Sequence, residues 1–317
     1  MEAWYAKDIN VSGKRSLVFS PRYAEQPDDP INISCGQCIG CRLERSRQWA
    51  IRCMHEASMH ENNCFITLTF SPEGLAKRNA EFRKEEKTHP ERVIGWNPVG
   101  VHPRDYQLFM KRLRKKFQGV RYYYCGEYGE KNNRPHYHAC LFNINFADKQ
   151  LYKMSNGIPL YVSETLEELW PYGFVTIGDV TFESAAYVAR YVMKKVNGEQ
   201  AKQDGTYVRH DAETGEASFV KPEFNAMSRR PGIGKTWFEK YKEDVYPNDF
   251  VILRGKKCRP PKYYDKLLEL EDAYTYDDIK MDRMENALAW VEEQTPERLA
   301  AKEKCKTVQI EKLVRNI

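Results

Sequence analysis

Apolar residues between positions 64 and 180 occur in short runs or alternate with polar residues. Such stretches predict β-strands, because successive side chains of a strand point to opposite faces. The second and third stretches are separated only by the turn-forming sequence KNNR, which predicts an antiparallel hairpin. The predicted strands are CFITLTFSPEG (64–74), VRYYYCGEYG (120–129), PHYHACLFNI (135–144) and YGFVTIGDV (172–180).

Other stretches carry apolar residues at every third or fourth position, which predicts helices with one core-facing side. Residues 35–61 begin as a cysteine-rich turn and then take on this helical spacing. After residue 265 the chain is expected to be mostly helical and charged. Between these ends, the predicted helices are residues 103–119, 163–170 and 181–198, and a further hairpin is expected within 205–224.

Strands and helices alternate with at least one hairpin, so the predicted fold class is α+β, a central antiparallel β-sheet flanked by helices. Residues 1–33 are expected to be irregular, and residues 75–102 to form an insertion or a mobile loop. The predicted divisions are 1–62, an N-terminal segment with a cysteine cluster and a helix; 63–200, the core; 201–264, a hairpin and basic loop extension; and 265–317, a charged helical tail.

Composition and charge narrow the class of protein. The 317 residues are 41% hydrophobic and 30% charged, as in a globular protein with a very polar surface. The net charge of +5 is modest, but residues 111–117 are densely basic, which indicates a polyanionic partner. No apolar run is long enough to span a membrane and no secretory signal is recognisable, so we expect no membrane association. Nine cysteines, an odd number, indicate a reducing compartment.

Two histidines in the third predicted strand are candidate metal ligands. His136 and His138 flank Tyr137, so they share one face of the strand, with Cβ atoms roughly 7 Å apart. Glu127 ends the preceding strand across the hairpin and is the natural third ligand, with Glu130 in the turn as a rival. Such a set suits Mg²⁺ or Mn²⁺ bound to a phosphate, although Zn²⁺ also fits. A His-x-His pair alone is more often an accident of a half-exposed strand.

The predicted helix 181–198 has two contrasting sides. Small aliphatic residues form the core side: Ala185, Val188, Ala189, Val192 and Val196. The other side gathers Tyr187, Tyr191, Lys194 and Lys195. Two phenols one helical turn apart are candidate nucleophiles for an anionic centre, because ammonium groups lower a phenol pKa and hold phosphate oxygens. A surface pair of tyrosines without chemistry is the alternative.

The predicted helix 103–119 carries the densest positive charge in the chain. Its candidate nucleic-acid ligands are Lys111, Arg112, Arg114 and Lys115. The aromatic sequence RYYY follows at 121–124. Basic groups for backbone phosphates beside aromatic rings for bases are typical of single-strand binding. A merely solvated charged face is the alternative.

The cysteine cluster near the N-terminus is a candidate structural metal site. Cys35, Cys38 and Cys41 are separated by two-residue gaps, and Cys53 or His55 could complete a tetrahedral Zn²⁺ site. The spacing also permits an iron–sulfur cluster, but no fourth cysteine stands where the ferredoxin pattern requires one. Free thiols in a tight loop are the remaining alternative.

Three motifs occur in order along the chain: FITLTF, then GEYGEKNNRPHYHACLF, then YVARYVMKK. Together they resemble the HUH endonuclease superfamily of rolling-circle replication initiators, relaxases and related transposases, and the paired tyrosines resemble its two-tyrosine class. More narrowly, CGQCIGCRLERSRQWAIRC, GEYG…RPHYH and RRPGIGKTWF look like the replication initiators of gokushovirus-type Microviridae, which are small single-stranded DNA phages. The resemblance covers roughly residues 35–240.

The resemblance implies an RRM-like or ferredoxin-like antiparallel sheet and an endonuclease that acts on single-stranded origin DNA. A tyrosine, here Tyr187 or Tyr191, would become joined to the 5′-phosphate and leave a free 3′-OH for the host DNA polymerase. A divalent ion held by His136, His138 and a Glu-type ligand would polarise the scissile phosphate. The second tyrosine would allow the strand to be rejoined.

The sequence PGIGKT (231–236) looks like the end of a phosphate-binding loop, but Arg229 stands where that motif requires glycine. We therefore expect neither an ATPase nor a helicase domain, which implies a host helicase as partner. The expected location is the cytoplasm of the bacterial host. The alternatives are a non-catalytic, zinc-containing protein that binds single-stranded nucleic acid, and a relaxase or transposase of the same superfamily.

Overall fold

The structure is a computed structural model that describes residues 1–10, 15–129, 132–194, 205–210, 215 and 217–311. The side chains at positions 32, 191–194, 210 and 311 lie outside this description. The strands are β1 (Glu2–Ile9), β2 (Arg15–Val18), β3 (Ile31–Asn32), β4 (Asn63–Thr69), β5 (Arg121–Tyr128), β6 (Pro135–Phe142), β7 (Gln150–Ser155), β8 (Ile158–Val162), β9 (Val175–Gly178), β10 (Val208–His210), β11 (Ala217–Phe219), β12 (Phe224–Met227), β13 (Val251–Leu253) and β14 (Lys256–Cys258). The helices are α1 (Ile39–Ala57), α2 (Pro72–Thr88), α3 (Pro103–Lys116), α4 (Glu164–Leu169), α5 (Phe182–Lys194), α6 (Lys235–Val245), α7 (Lys262–Glu271), α8 (Ala273–Leu288) and α9 (Pro296–Glu311).

The central element is a sheet of seven strands in the order β12-β5-β6-β4-β9-β8-β7. Every neighbouring pair in it is antiparallel. Helices cover both faces, the cysteine cluster precedes α1, and further helices follow residue 262. The predicted α+β class, with its antiparallel sheet flanked by helices, is confirmed.

The hairpin of β5 and β6 sets the register of the chemistry-bearing residues. Glu127 on β5 lies directly opposite His136 on β6. On the other side of β6, Thr67 of β4 lies opposite His138 and Thr69 lies opposite His136. Paired residues of neighbouring strands share a face, and residues two apart on one strand do so as well. These five side chains therefore project from the same face of the sheet.

That face is covered by α1 and α5. Ala50 of α1 and Ala185 and Val188 of α5 are fully buried against Phe65 and Cys140 of the sheet. Small side chains at these contacts let the helix backbones approach the strands closely. The packing holds α5 directly over the hairpin that carries the acidic and imidazole side chains.

The opposite face of the sheet is covered by an aromatic layer. Tyr106, Phe109 and Leu113 of α3 are buried against Tyr124 and Tyr137 of the hairpin. The rings of Tyr106 and Tyr124 stack with their centroids 3.6 Å apart. Because Tyr137 faces this layer, its neighbours in sequence on β6 must face α1 and α5.

The expectation of a loop over residues 75–102 is wrong, because α2 occupies most of that segment. Ser71 caps the helix by accepting a hydrogen bond from the backbone of its first turn. The core-facing side of α2 includes Arg78, which is fully buried with its guanidinium 3.5 Å from the carboxylate of Asp105. A charged residue at a core position obscured the helical period in the sequence.

The N-terminal residues are also more regular than predicted, because β1 pairs with β2 and β3 in a separate antiparallel sheet. Trp4 anchors this sheet by donating its indole N–H to the Pro27 carbonyl at 2.9 Å. The hairpin expected within 205–224 is present as the β10–β11 pair. In the described part of the chain no helix is both long and apolar enough to cross a membrane.

Gly126 lies between Cys125 and Glu127 on β5, on the aromatic side of the sheet. A Cβ atom at this position would come within 2.9 Å of the Tyr137 ring and 3.1 Å of the Phe224 ring. Those rings are held by their own packing, so they cannot retreat without cost. Glycine is therefore required for β12 and β6 to close over β5.

We predict that Gly126→Ala destabilises the fold by about 1–3 kcal/mol, the usual range for overpacking a core. Gly178→Ala is the matched control in the same sheet, because its Cβ would meet only Leu160 Cδ2, at 3.9 Å. Thermal unfolding followed by circular dichroism gives both values. Equal melting temperatures for the two variants would contradict the account of Gly126.

Candidate active site

The carboxylate of Glu127 is the meeting point of the predicted metal ligands. Its Oε1 atom lies 2.8 Å from Nε2 of His136 and 2.7 Å from Nε2 of His138. Glu127 is 1% exposed. Burial acts to raise its pKa, but the neighbouring imidazoles of His138 and His136 outweigh burial, so the pKa lies below the ordinary value. The group is therefore a buried carboxylate kept in its charged form.

The second contacts of the imidazoles decide where their protons lie. Nδ1 of His136 is 3.1 Å from the carbonyl oxygen of Arg134, which can only accept a hydrogen bond. Nδ1 of this ring therefore carries a proton, and in the neutral ring the lone pair on Nε2 faces Glu127. Nδ1 of His138 contacts the Thr67 hydroxyl at 3.0 Å. Hydrogen-bonded Nδ1 atoms with Nε2 atoms directed inward are the arrangement of metal-ligating histidines.

The residues present fit a divalent cation. One ligand atom from each of Glu127, His136 and His138 lies within 4.8 Å of the others. A lone pair of His136 facing a carboxylate is repulsive unless positive charge lies between them. In addition, Oε2 of Glu127 is buried with no hydrogen-bond partner among the described residues. Both features are accounted for by a cation bound by these three side chains.

Tyr187 on α5 is brought to the same place. Its hydroxyl donates a hydrogen bond to Oε1 of Glu127 at 3.3 Å. Its ring meets that of His138 edge-on, with centroids 4.9 Å apart. Tyr187 is half-buried, while Ala185 and Val188 form the buried side of the helix as predicted. The phenol is thus positioned over the candidate metal ligands and not on a remote surface.

The remaining predicted residues of this helix cannot be placed. Tyr191 and Lys194 belong to α5, but their side chains lie outside the description of the structure. Lys195 lies outside the described residues altogether, as does Glu130, the rival third ligand.

An open pocket of about 510 Å³ borders the site beside His136. It is lined by Thr69, Gly129, Arg134 and neighbouring residues. Arg134 is exposed and donates a hydrogen bond to the Phe70 carbonyl, so a cationic group stands at the entrance. The sequence analysis missed both Arg134 and Thr67. Arg134 immediately precedes the PHYH sequence, and Thr67 alternates with apolar residues on β4, which were the available signals.

The basic helix α3 is not part of this site, because it packs on the opposite face of the sheet. Lys111, Arg114 and Lys115 are exposed there. Arg112 differs from them, since its Nε–H donates to the Leu169 carbonyl at 2.8 Å and its guanidinium lies 5.6 Å from the Tyr172 ring centre. Arg112 therefore ties α3 to the end of α4.

Three of the predicted zinc ligands come together ahead of α1. The sulfur atoms of Cys35, Cys38 and Cys41 all lie within 4.8 Å of one another. The backbone N–H of Cys38 donates to the sulfur of Cys35 at 3.2 Å. Hydrogen bonds from backbone N–H groups, that of Cys38 foremost, lower the pKa of the Cys35 thiol to about 7. The cluster thus favours a thiolate, the form that binds metals.

The prediction that Cys53 or His55 completes this cluster is wrong. Cys53 follows Cys41 by twelve residues on the same helix, a rise of roughly 18 Å. Its side chain is fully buried in the core between α1 and the sheet. His55 stacks on Trp237 with ring centres 3.5 Å apart, and Nδ1 of His55 contacts the Tyr264 hydroxyl.

The PGIGKT segment is filled by groups of the protein itself. The N–H of Gly234 donates to Oε2 of Glu56 at 2.6 Å, where a phosphate-binding loop would present its N–H groups to phosphate. Glu56 is fully buried and also accepts a hydrogen bond from Arg121. A Cβ on Gly232 would lie 2.2 Å from the Tyr263 hydroxyl. These glycines serve the packing between α1 and the C-terminal helices.

Comparison with known proteins matches the chain to one family. The family model for replication-associated protein ORF2 matches residues 63–196. Replication-associated protein ORF2 of Spiroplasma virus 4 is 34% identical over 268 residues, covering 80% of this chain and 73% of that protein. Replication-associated protein VP4 of Bdellovibrio phage phiMH2K is 33% identical over 267 residues, covering 81% of this chain and 73% of that protein.

A more distant relative is Replication-associated protein ORF4 of Chlamydia phage 1, 25% identical over 246 residues, which are 74% of this chain and 53% of that protein. No solved structure matches the chain significantly. The two more similar phage proteins extend the likeness well beyond the motifs, over about four fifths of the chain. The resemblance to phage replication initiators is thereby confirmed, and the chain belongs to the family of replication-associated proteins of the Microviridae phages.

Proposed function

We propose that this replication initiator nicks single-stranded origin DNA by tyrosine transesterification and later rejoins the strand. The observation that carries the proposal is the shared contact at Oε1 of Glu127, which His136, His138 and the Tyr187 hydroxyl all approach within 3.3 Å. A phenol held beside a set of divalent-metal ligands is the arrangement that phosphoryl transfer to tyrosine requires.

In the nicking step, the Tyr187 oxygen attacks the scissile phosphorus. A bond forms between the phenol oxygen and phosphorus, and the bond from phosphorus to the 3′ oxygen breaks. The phenol loses its proton and the departing 3′ oxygen gains one, which leaves a 5′-phosphotyrosine and a free 3′-OH. The hydrogen bond to Glu127 and the edge-on contact with His138 fix the direction of the phenol before attack.

Glu127, His136 and His138 would hold Mg²⁺ or Mn²⁺, which neutralises charge on the phosphate oxygens when it is bound. Thr67 and the Arg134 carbonyl keep the two rings oriented for that task. Arg134, exposed at the mouth of the adjoining pocket, is placed to meet the DNA backbone. Lys194 and Lys195, at the end of the same helix, are proposed to stabilise the phosphoryl oxygens.

The second tyrosine, Tyr191, would serve the rejoining step. One tyrosine holds the strand end while the other cleaves the regenerated origin, and the free 3′-OH then displaces the first tyrosine. The phosphodiester energy is conserved in the protein–DNA bond, so joining requires no ATP. A host helicase would separate the strands and a host DNA polymerase would extend the 3′-OH, in the cytoplasm of the bacterial host.

The alternative of a non-catalytic nucleic-acid binder leaves the site unexplained. Such a protein has no need of a buried, charged carboxylate shared by two imidazoles and a tyrosine hydroxyl, because burying these groups is costly. A relaxase or transposase would use the same chemistry. The relatives are named as replication-associated proteins, which favours initiation of replication.

We also propose that Cys35, Cys38 and Cys41 hold a structural Zn²⁺ ion. The three sulfur atoms are already gathered, and the lowered pKa of Cys35 provides a thiolate near neutral pH. The metal would fix the turn from which α1 starts, and α1 in turn covers the face of the sheet that carries Glu127.

We predict that the protein, with Mn²⁺ and origin single strands, forms an adduct that survives SDS electrophoresis. Tyr187→Phe combined with Tyr191→Phe should lower adduct yield by at least about a thousandfold, because both nucleophiles are removed. The matched control is Tyr152→Phe with Tyr274→Phe, which alters two exposed tyrosines. Adduct formation by the Tyr187, Tyr191 double variant at the wild-type level would refute the assignment of the nucleophiles.

We further predict one zinc per chain by plasma mass spectrometry, and its loss in Cys35→Ser. Cys305→Ser should retain the metal, because Cys305 is an exposed thiol on α9. Removal of zinc should lower the melting temperature of the wild type but not that of Cys35→Ser. Protein without zinc, or equal zinc in the two variants, would overturn the site.

A further inference from the structure

We propose that the protein has a second DNA-binding site, a groove between α3 and the edge strand β12 that holds single-stranded DNA away from the catalytic face. The proposal rests on the proposed function only in that DNA is the ligand. It does not depend on which residue is the nucleophile.

The groove is large and open. It measures about 1240 Å³ and runs between the exposed side of α3, the start of β5, and the segment from β12 to residue 230. Pockets for small molecules are usually about 300–1,000 Å³, so the groove suits part of a polymer better than a metabolite. Its floor is formed by Tyr122, Tyr124 and Phe224.

The charge of the groove is one-sided. Its described lining includes five cationic side chains and no carboxylate: Lys111, Arg114, Arg121, Arg229 and Arg230. The whole chain has 50 basic and 45 acidic residues, so such a lining differs sharply from the average surface. Arg121 is neutralised by Glu56, but the other four make no ion pair with a described carboxylate. Four uncompensated cations around one groove indicate a polyanion.

The aromatic floor indicates which polyanion. Tyr122 and Phe224 are half-buried and still reach the groove, and the Arg114 guanidinium lies 5.7 Å from the Tyr122 ring centre. Exposed bases stack on aromatic rings and guanidinium groups while the phosphates meet the cations. A duplex hides its bases in the stack and offers mainly phosphates to such a surface. The combination therefore favours a single strand.

The groove and the candidate active site are on opposite faces of the sheet. Tyr122 and Tyr124 alternate along β5 with Tyr123 and Cys125, which face α1 and α5 as Glu127 does. A strand in the groove therefore leaves the catalytic face accessible. One strand could be retained there while another segment is cut or joined at Tyr187.

The test is fluorescence anisotropy with a labelled oligothymidylate, in EDTA so that no metal-dependent step contributes. Lys111→Gln with Arg114→Gln should weaken binding about tenfold at 0.1 M salt and lower the slope of log K against log salt by about 1.4, as loss of two single-strand phosphate contacts requires. Arg229→Gln with Arg230→Gln, on the other wall, should do the same. All four residues are exposed, so the fold should persist.

The matched control is Arg83→Gln with Lys84→Gln, which removes one arginine and one lysine from the exposed side of α2. Its affinity and slope should equal those of the wild type. Unchanged binding in both groove variants, or an equal loss in the control, would overturn the proposal. An unlabelled duplex of equal length that competes as well as a single strand would also overturn it. The tyrosine assignment would remain untouched by either result.

Discussion

The carboxylate of Glu127 is buried beneath α5, and the arrangement of the site depends on it. A buried charge is costly unless it is paired, and Glu127 is paired with two imidazoles and a phenol at the same oxygen atom. This shared contact requires the hairpin register that sets Glu127 opposite His136, and it requires α5 to lie close to the sheet. The small residues of α1 and α5 provide that closeness.

The two faces of the sheet carry different tasks as a consequence. One face holds ionisable groups under helices with small contact residues, and the other is sealed by a tyrosine-rich layer. Gly126 is needed on the sealed face because two rings close over it, while its neighbour Glu127 faces the chemistry. The groove beside β12 borders the sealed face, so DNA binding there need not disturb the ligands of Glu127.

Much of the site could be predicted from the sequence because strand alternation is a short-range rule. The period of two put His136 and His138 on one face, and the short turn put Glu127 across from them. The helical period of residues 181–198 separated Tyr187 from the buried alanines and valines. Features that depend on tertiary packing could not be derived this way. Arg78 at a core position obscured α2, and the rise of α1 carries Cys53 away from the other thiols.

The direct test of the central claim is to locate a bound metal. Crystals grown with Mn²⁺ should show an anomalous scattering peak ligated by the Glu127 carboxylate and by Nε2 of His136 and His138. The bonds should be about 2.0–2.2 Å long, as for Mg²⁺-like ions and carboxylate or imidazole ligands. An absent peak at saturating Mn²⁺, with Glu127 still hydrogen-bonded directly to both imidazoles, would contradict the account.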